Sequence, residues 1–316
     1  MTRLPLAAVV ISALAAIALH QPAFGQQAGE KLGVWDDSIR SNLAAEAAAN
    51  ENAARNSPGA TDPAVPHLLD SRIHAYLQIG KDADAKKIVD QAAGINKLAA
   101  VRLETDASLA AIPARYALDR GRWEEAMRLA VRESGYPAAQ SVTYFTRALA
   151  AARGGYPRDT RNALARLDEI EAKLMAAKDD YWAGQTRIQA LAASAWLAFL
   201  EGNRDEAIAM MRQAADLDDA SQKNAAMENK LVPIRALLGE LYLATRMYNE
   251  ALPEFEASLK TSPNRFRTIA GAAAAARGAG SVDAAKRYYQ ALTALAADSD
   301  GARPELAEAK TYLSQD

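Results

Sequence analysis

The feature that most constrains this chain is a short bend repeated seven times along 316 residues. It reads LGVWDDSI (32–39), IGKDADAK (79–86), RGRWEEAM (120–127), GGYPRDTR (154–161), EGNRDEAI (201–208), TRMYNEAL (245–252) and AGSVDAAK (279–286). Most copies carry a Gly or polar break, then acidic residues, then a small side chain five positions after the break. A Gly at that point ends a helix in the left-handed region. The Asp, Asn or Ser that follows is expected to cap the next helix, with acids in its first turn facing the positive end of the dipole. Each bend therefore predicts a tight turn between two antiparallel helices. The small residues are Ser38, Ala85, Ala126, Thr160, Ala207, Ala251 and Ala285, spaced by 47, 41, 34, 47, 44 and 34. A spacing of about 34 is the length of a bare helix–turn–helix repeat. Insertions such as PGATDPAVP (58–66) and LDDASQKNAAMENK (217–230) account for the longer ones. A small side chain lets two helices approach at their nearest point, where a large one would push them apart.

The ends of the chain read differently. Arg3 precedes an uncharged apolar run, Leu4–Leu19, and Ala23-Phe24-Gly25 offers small residues where a signal peptidase reads. Residues 1–25 are thus expected to be a signal peptide cleaved before Gln26. Residues 26–316 are expected to form one helical repeat domain, exported to the bacterial periplasm or beyond. No later segment is apolar enough to span a bilayer. Without Arg3 the chain has 36 basic side chains against 39 acidic ones, a net of −3, which speaks against nucleic acid as a partner. There is no Cys, so stability must come from burial. At the other end ARPELAEAKTYL (302–313) places Pro304 at a helix start and alternates Glu and Lys with Leu306, Ala309 and Leu313. It reads as a capping helix with a polar outer side, within 302–315.

Leu238-Gly239, Tyr242, Ala251, Phe255, Ser258 and Pro263 resemble the tetratricopeptide repeat, with Arg235 in the place of that family's Trp. The resemblance extends through Gly280, Ala285 and Tyr289, and through Gly202, Ala207 and Ala214. It covers most of residues 32–297 and is strongest over 188–217, 235–263 and 269–297. It implies an all-α fold: a right-handed α-solenoid of about six helix pairs with a concave, ligand-facing side. The first repeat is incomplete, because its first helix would fall at residues 17–31. That leaves the helix face around Leu43 and Ala47 without its usual neighbour, to be covered by residues 26–31 or by a second copy in a homodimer. The chain resembles exported bacterial proteins of this type. Members of the family in general bind peptides or proteins and do no chemistry.

Little else points to catalysis. A thiol nucleophile is excluded, no GxSxG turn exists, and GAAAAARGAG (271–280) lacks the Lys of a phosphate loop. No enzyme activity and no cofactor are expected. Acid pairs such as Asp36/Asp37 and Glu124/Glu125 lie in the repeat turns, where capping is expected to explain them. His67, Asp70 and His74 share one helix face at spacings of three and four and form a weak candidate for a divalent metal or small-ligand site, the alternative to a protein partner. On the repeat alignment His74, Arg115, Asp119, Gln189, Trp196, Phe199, Glu240, Arg267 and Arg277 face the groove. Trp196 and Phe199 read either as an apolar pocket or as core between helix pairs, with core favoured. Arg267 and Arg277 read as grips for an acidic partner or as solvated charges. In PNRFR (263–267), Pro263 stops a helix, Asn264 is expected to cap the next, and Phe266 to pack across the junction.

Overall fold

The computed structural model describes residues 34–221, 231–301 and 303–315. The expected signal segment, the first helix expected at 17–31 and most of the 217–230 insertion lie outside the described residues. Fourteen helices fill the described chain, which contains no strand beyond one isolated bridge between Thr61 and Leu98. They are α1 (Trp35–Asn56), α2 (Val65–Gln78), α3 (Asp82–Ala93), α4 (Leu103–Leu118), α5 (Trp123–Met127), α6 (Pro137–Gly154) and α7 (Pro157–Ala176). There follow α8 (Asp180–Leu200), α9 (Arg204–Ala220), α10 (Ile234–Ala244), α11 (Tyr248–Thr261), α12 (Phe266–Gly278), α13 (Val282–Leu295) and α14 (Pro304–Leu313). The architecture is an all-α solenoid.

The bends repeat to the atom. Gly80, Gly121, Gly155, Gly202, Arg246 and Gly280 all adopt positive φ. In each bend the next amide reaches back to the carbonyl five residues earlier, from Lys81 to Tyr76 at 2.9 Å through Ser281 to Ala276 at 2.9 Å, the hydrogen bond of a Schellman turn. Each outer helix starts two residues after the left-handed one. The small residues three positions further on, Ser38 of the first bend among them, all lie at 0% exposure.

Two sequence expectations fail here. The residues at the starts of α3, α5, α7, α9, α11 and α13 make no side-chain capping bond. The turn geometry fixes the residue after the left-handed one as N-cap, which leaves the acids inside the first turn, where they oppose the dipole without capping. Asn264 does not cap α12 either. It sits at φ 54° ahead of the N-cap Arg265, and its carbonyl accepts the Trp35 indole N–H at 2.8 Å.

Phe255 shows how tightly the pairs pack. A Cβ at Gly239 would stand 2.9 Å from its ring, and one at Gly271 only 2.4 Å. The ring is thus wedged between the backbones of α10 and α12. Gly271→Ala is expected to lower stability by about 1–3 kcal/mol through overpacking, read as an earlier midpoint in urea unfolding.

The first helices of the pairs form a closed circuit. Contacts run α2–α4–α6–α8–α10–α12, and α12 returns to α2. The N-terminal turn of α12 meets the C-terminal end of α2, where the Phe266 amide donates to Gln78 Oε1 at 3.0 Å. The solenoid therefore makes one turn and overlaps its own start. Arg303 fastens the overlap from just before α14. Its Nε donates to Asp82 at 3.1 Å, its Nη2 to the Leu77 carbonyl at 3.2 Å and its Nη1 to the Asp119 carbonyl at 3.3 Å. Asp300 supplies the cap that α3 lacks locally, accepting from Ala83 N at 3.2 Å, and its own amide donates to the Gly80 carbonyl at 3.2 Å. A Cβ on Gly80 would meet Ser299 Oγ at 2.8 Å, so this bend needs Gly for the closure as well as for its φ. Leu43 and Ala47 lie on an exposed face of α1.

Candidate functional site

Closure converts the expected open groove into an interior. Leu149, Ala192, Ala193, Leu237 and Leu238, all buried, fill its middle. A chamber lies toward each end. The smaller, about 110 Å³, is bordered by the N-terminal turns of α6, α8 and α10, with Asp70, Arg115 and Gln189 in its wall. The larger, about 680 Å³, is bordered by the last turns of α6, α8 and α10, the first half of α12, and Glu305 and Glu308 of α14.

The wall of the larger chamber is built around Arg153, near the end of α6. Its guanidinium carbon lies 4.5 Å from the Trp123 ring centre and 4.2 Å from that of Trp196, so the cation is held between two indoles. Arg153 also bonds Glu240 of α10, and Arg267 of α12 bonds the other oxygen of Glu240 at 3.1 Å. Burial would raise the Glu240 carboxyl, but the Arg267 and Arg153 guanidiniums and their hydrogen bonds outweigh it and bring the pKa down to about 2. Trp196 meets Phe199 edge to face at 5.7 Å between ring centres. Trp196 is 5% exposed, and its indole N–H has no acceptor among the described residues. An unmatched buried donor of this kind costs about 1–3 kcal/mol.

The groove candidates separate into three groups. Trp196, Phe199, Glu240 and Arg267 come together in the larger chamber. Trp196 belongs to the core and also lines that chamber, so the two readings of this aromatic are not exclusive. Arg115 and Gln189 border the smaller chamber. His74 and Asp119 are buried at the overlap. Arg277 is half exposed and pairs with Glu308 at 3.0 Å. Arg267 and Arg277, expected as grips for an acidic partner or as solvated charges, each already hold a carboxylate of their own chain, Glu240 of the neighbouring α10 and Glu308 of α14. Trp123, Arg153, Glu305 and Glu308 are wall residues that sequence reasoning missed. Trp123 holds the position after a bend that is also aromatic in Trp35 and Tyr248, a recurrence that could have marked it.

The His67/Asp70/His74 face does not assemble a metal centre. Arg115 grips Asp70 through two bonds, Nε at 2.7 Å and Nη2 at 3.2 Å, which puts a cation where an ion would sit. Among the described residues no three His, Asp or Glu side chains converge as ligands. His74 serves the overlap instead. The Phe266 amide can only donate, so Gln78 must present its oxygen there. Its NH₂ then faces Asp119 at 3.1 Å and His74 Nδ1 at 3.2 Å. His74 Nδ1 is thereby an acceptor and the ring is neutral. Burial holds its pKa well below the usual value, and the Arg265 and Arg115 charges push the same way.

These shifts set the response to acid. The unfolded chain takes up a proton at His74 below about pH 6.5, while the folded chain does not. The stability this contributes is present above pH 6.5 and is lost as the pH falls, at up to about 1.4 kcal/mol per unit. Glu240 acts likewise in a lower window, from about pH 4.5 down to its folded value of about 2. Melting temperatures measured from pH 7.5 to 5 are expected to fall, and to fall less steeply in His74→Gln.

No family model matches this chain, and no curated protein matches it. Among solved structures it is similar to the crystal structure of the APC/C hetero-tetramer Cut9-Hcn1, at 15% identity and a TM-score of 0.34. The alignment covers 87% of this chain and 52% of that one, so this chain spans about half the length of its neighbour.

Proposed function

We propose that the protein is an exported, non-catalytic binding scaffold that receives a short segment of a partner polypeptide in the larger chamber. The observation that carries this reading is the chamber itself. Its volume of about 680 Å³ falls within the range of about 300–1,000 Å³ that ligand sites occupy. Its walls join aromatic faces to fixed charges, the residue types that dominate recognition energetics. Helical repeat scaffolds present such surfaces from stacked pairs without supplying reacting groups. No helix among the described residues is long and apolar enough to cross a membrane. Export is inferred from the apolar run and cleavage pattern at the start of the chain.

Selection from a displayed peptide library tests this. Peptides recovered by the wild-type protein are expected to lose at least tenfold in affinity to Phe199→Ala, whose side chain lines the chamber and is only partly buried. Failure to select any peptide, or selection of peptides indifferent to Phe199→Ala, would contradict the proposal.

A further inference from the structure

Resting on the chamber reading above, we infer that the guest segment is basic, and that Glu305 receives its cation. Five charged side chains line the chamber: Arg153, Arg267, Glu240, Glu305 and Glu308. Four of them are already matched. Arg153 and Arg267 share Glu240. Glu308 is held by Arg277 at 3.0 Å and by the Tyr289 hydroxyl. Glu305 alone makes no hydrogen bond or ion pair among the described residues; its influence on Arg267 is at longer range. An anionic guest would have to share Arg153 or Arg267 with Glu240. A cationic guest meets a carboxylate that is already free.

One further feature favours the same sign. The last turns of α6, α8 and α10 border the chamber at Gly154, Leu200 and Ala244, and helix C-termini carry partial negative charge. The uncharged surface suits a lysine in particular: Phe199 and Leu243, both partly exposed, can cover an aliphatic stem while the ammonium reaches Glu305. The chamber's volume of about 680 Å³ suits a lysine-bearing peptide, not a bare amine.

Three probes separate these statements: the blocked pentapeptides Ac-Ala-Lys-Ala-Lys-Ala-NH₂ and Ac-Ala-Glu-Ala-Glu-Ala-NH₂, and n-butylamine, each titrated calorimetrically into the protein. The lysine peptide is expected to bind at least tenfold more tightly than the other two. Glu305→Gln is expected to reduce its affinity at least tenfold while leaving the helical circular dichroism and melting temperature of the free protein unchanged. Equal or tighter binding of the glutamate peptide, or a lysine peptide indifferent to Glu305→Gln, overturns the inference. If the glutamate peptide binds and loses affinity in Phe199→Ala, the chamber still receives peptides and only the assigned charge is wrong. If n-butylamine matches the lysine peptide, the peptide chain has no part in recognition and the guest class is wrong. If neither peptide binds, the inference and the chamber reading fall together.

Discussion

Arg303→Ala is expected to cost about 3–5 kcal/mol of folding stability, the penalty typical of removing one partner from a buried ion pair, and to loosen the overlap that closes the solenoid. Its side chain is 3% exposed and bonds at once to Asp82, to the Leu77 carbonyl and to the Asp119 carbonyl, while its guanidinium covers the Phe266 ring at 4.6 Å. Truncation leaves the partly buried Asp82 carboxylate with only the more distant Arg120 at 3.9 Å and takes a donor from two backbone oxygens. Phe266 opens α12 and Leu77 lies near the end of α2, so the same change undoes the tie between the first and last inner helices. The urea midpoint should fall sharply and the radius of gyration, by solution scattering, should rise. Arg166→Ala provides the contrast. Arg166 pairs with Glu169 on an open surface, with both side chains 52% exposed. Exposed pairs of this kind are worth about 0–1 kcal/mol, so neither midpoint nor radius should move appreciably.

Arg115→Met is the second large effect expected, again about 3–5 kcal/mol. Asp70 would keep its charge in the interior without the guanidinium that grips both its oxygens. The double substitution Asp70→Leu/Arg115→Met should recover much of that loss, because a buried pair replaced as a unit by apolar side chains of similar volume is often neutral. A double-mutant cycle in urea measures this directly. A double variant no more stable than Arg115→Met alone would mean that other partners of Arg115 carry its contribution.

What the sequence made legible was the local unit. The bend, its left-handed residue and the small residue after it are set by interactions within one helix pair, and they recur with fixed spacing. All seven small positions are fully buried as expected, from Ser38 to Ala285. Phe255 and Gly239 show why the strongest repeat has its pattern, since the ring fills the space that a side chain at Gly239 would need. The closure was not legible. It depends on a small rotation accumulated over six pairs, and its contacts join residues as far apart as Arg303 and Leu77, 226 positions in sequence. Arg303 and Asp300 read as ordinary polar residues before a terminal helix.

The candidate site was half legible for the same reason. Repeat phase placed Trp196, Phe199, Glu240 and Arg267 on the inner side, since phase follows from helix periodicity. It could not show that Glu240 would lie between Arg153 and Arg267, because α6, α10 and α12 meet only once the solenoid has turned. Hence the arginines looked available when they are matched, and Glu305, on the last helix, was passed over as part of a polar cap. α5 was also misjudged. Its five residues, Trp123–Met127, make a single short turn where a full outer helix was expected, and the chain from Arg128 to Tyr136 runs on without helix.

The central claim is that the two ends of the solenoid meet and enclose the interior. The absence of Cys from the natural sequence permits a direct measurement. Ala83 and Asp300 face each other across the overlap, with the Ala83 amide 3.2 Å from the Asp300 carboxylate. In an Ala83→Cys/Asp300→Cys variant, mild oxidation of the folded protein should form an intramolecular disulfide, seen as faster migration on non-reducing gels and loss of free thiol. A variant that stays helical and monomeric yet keeps both thiols free would show that the ends stand apart, and would contradict the closed circuit.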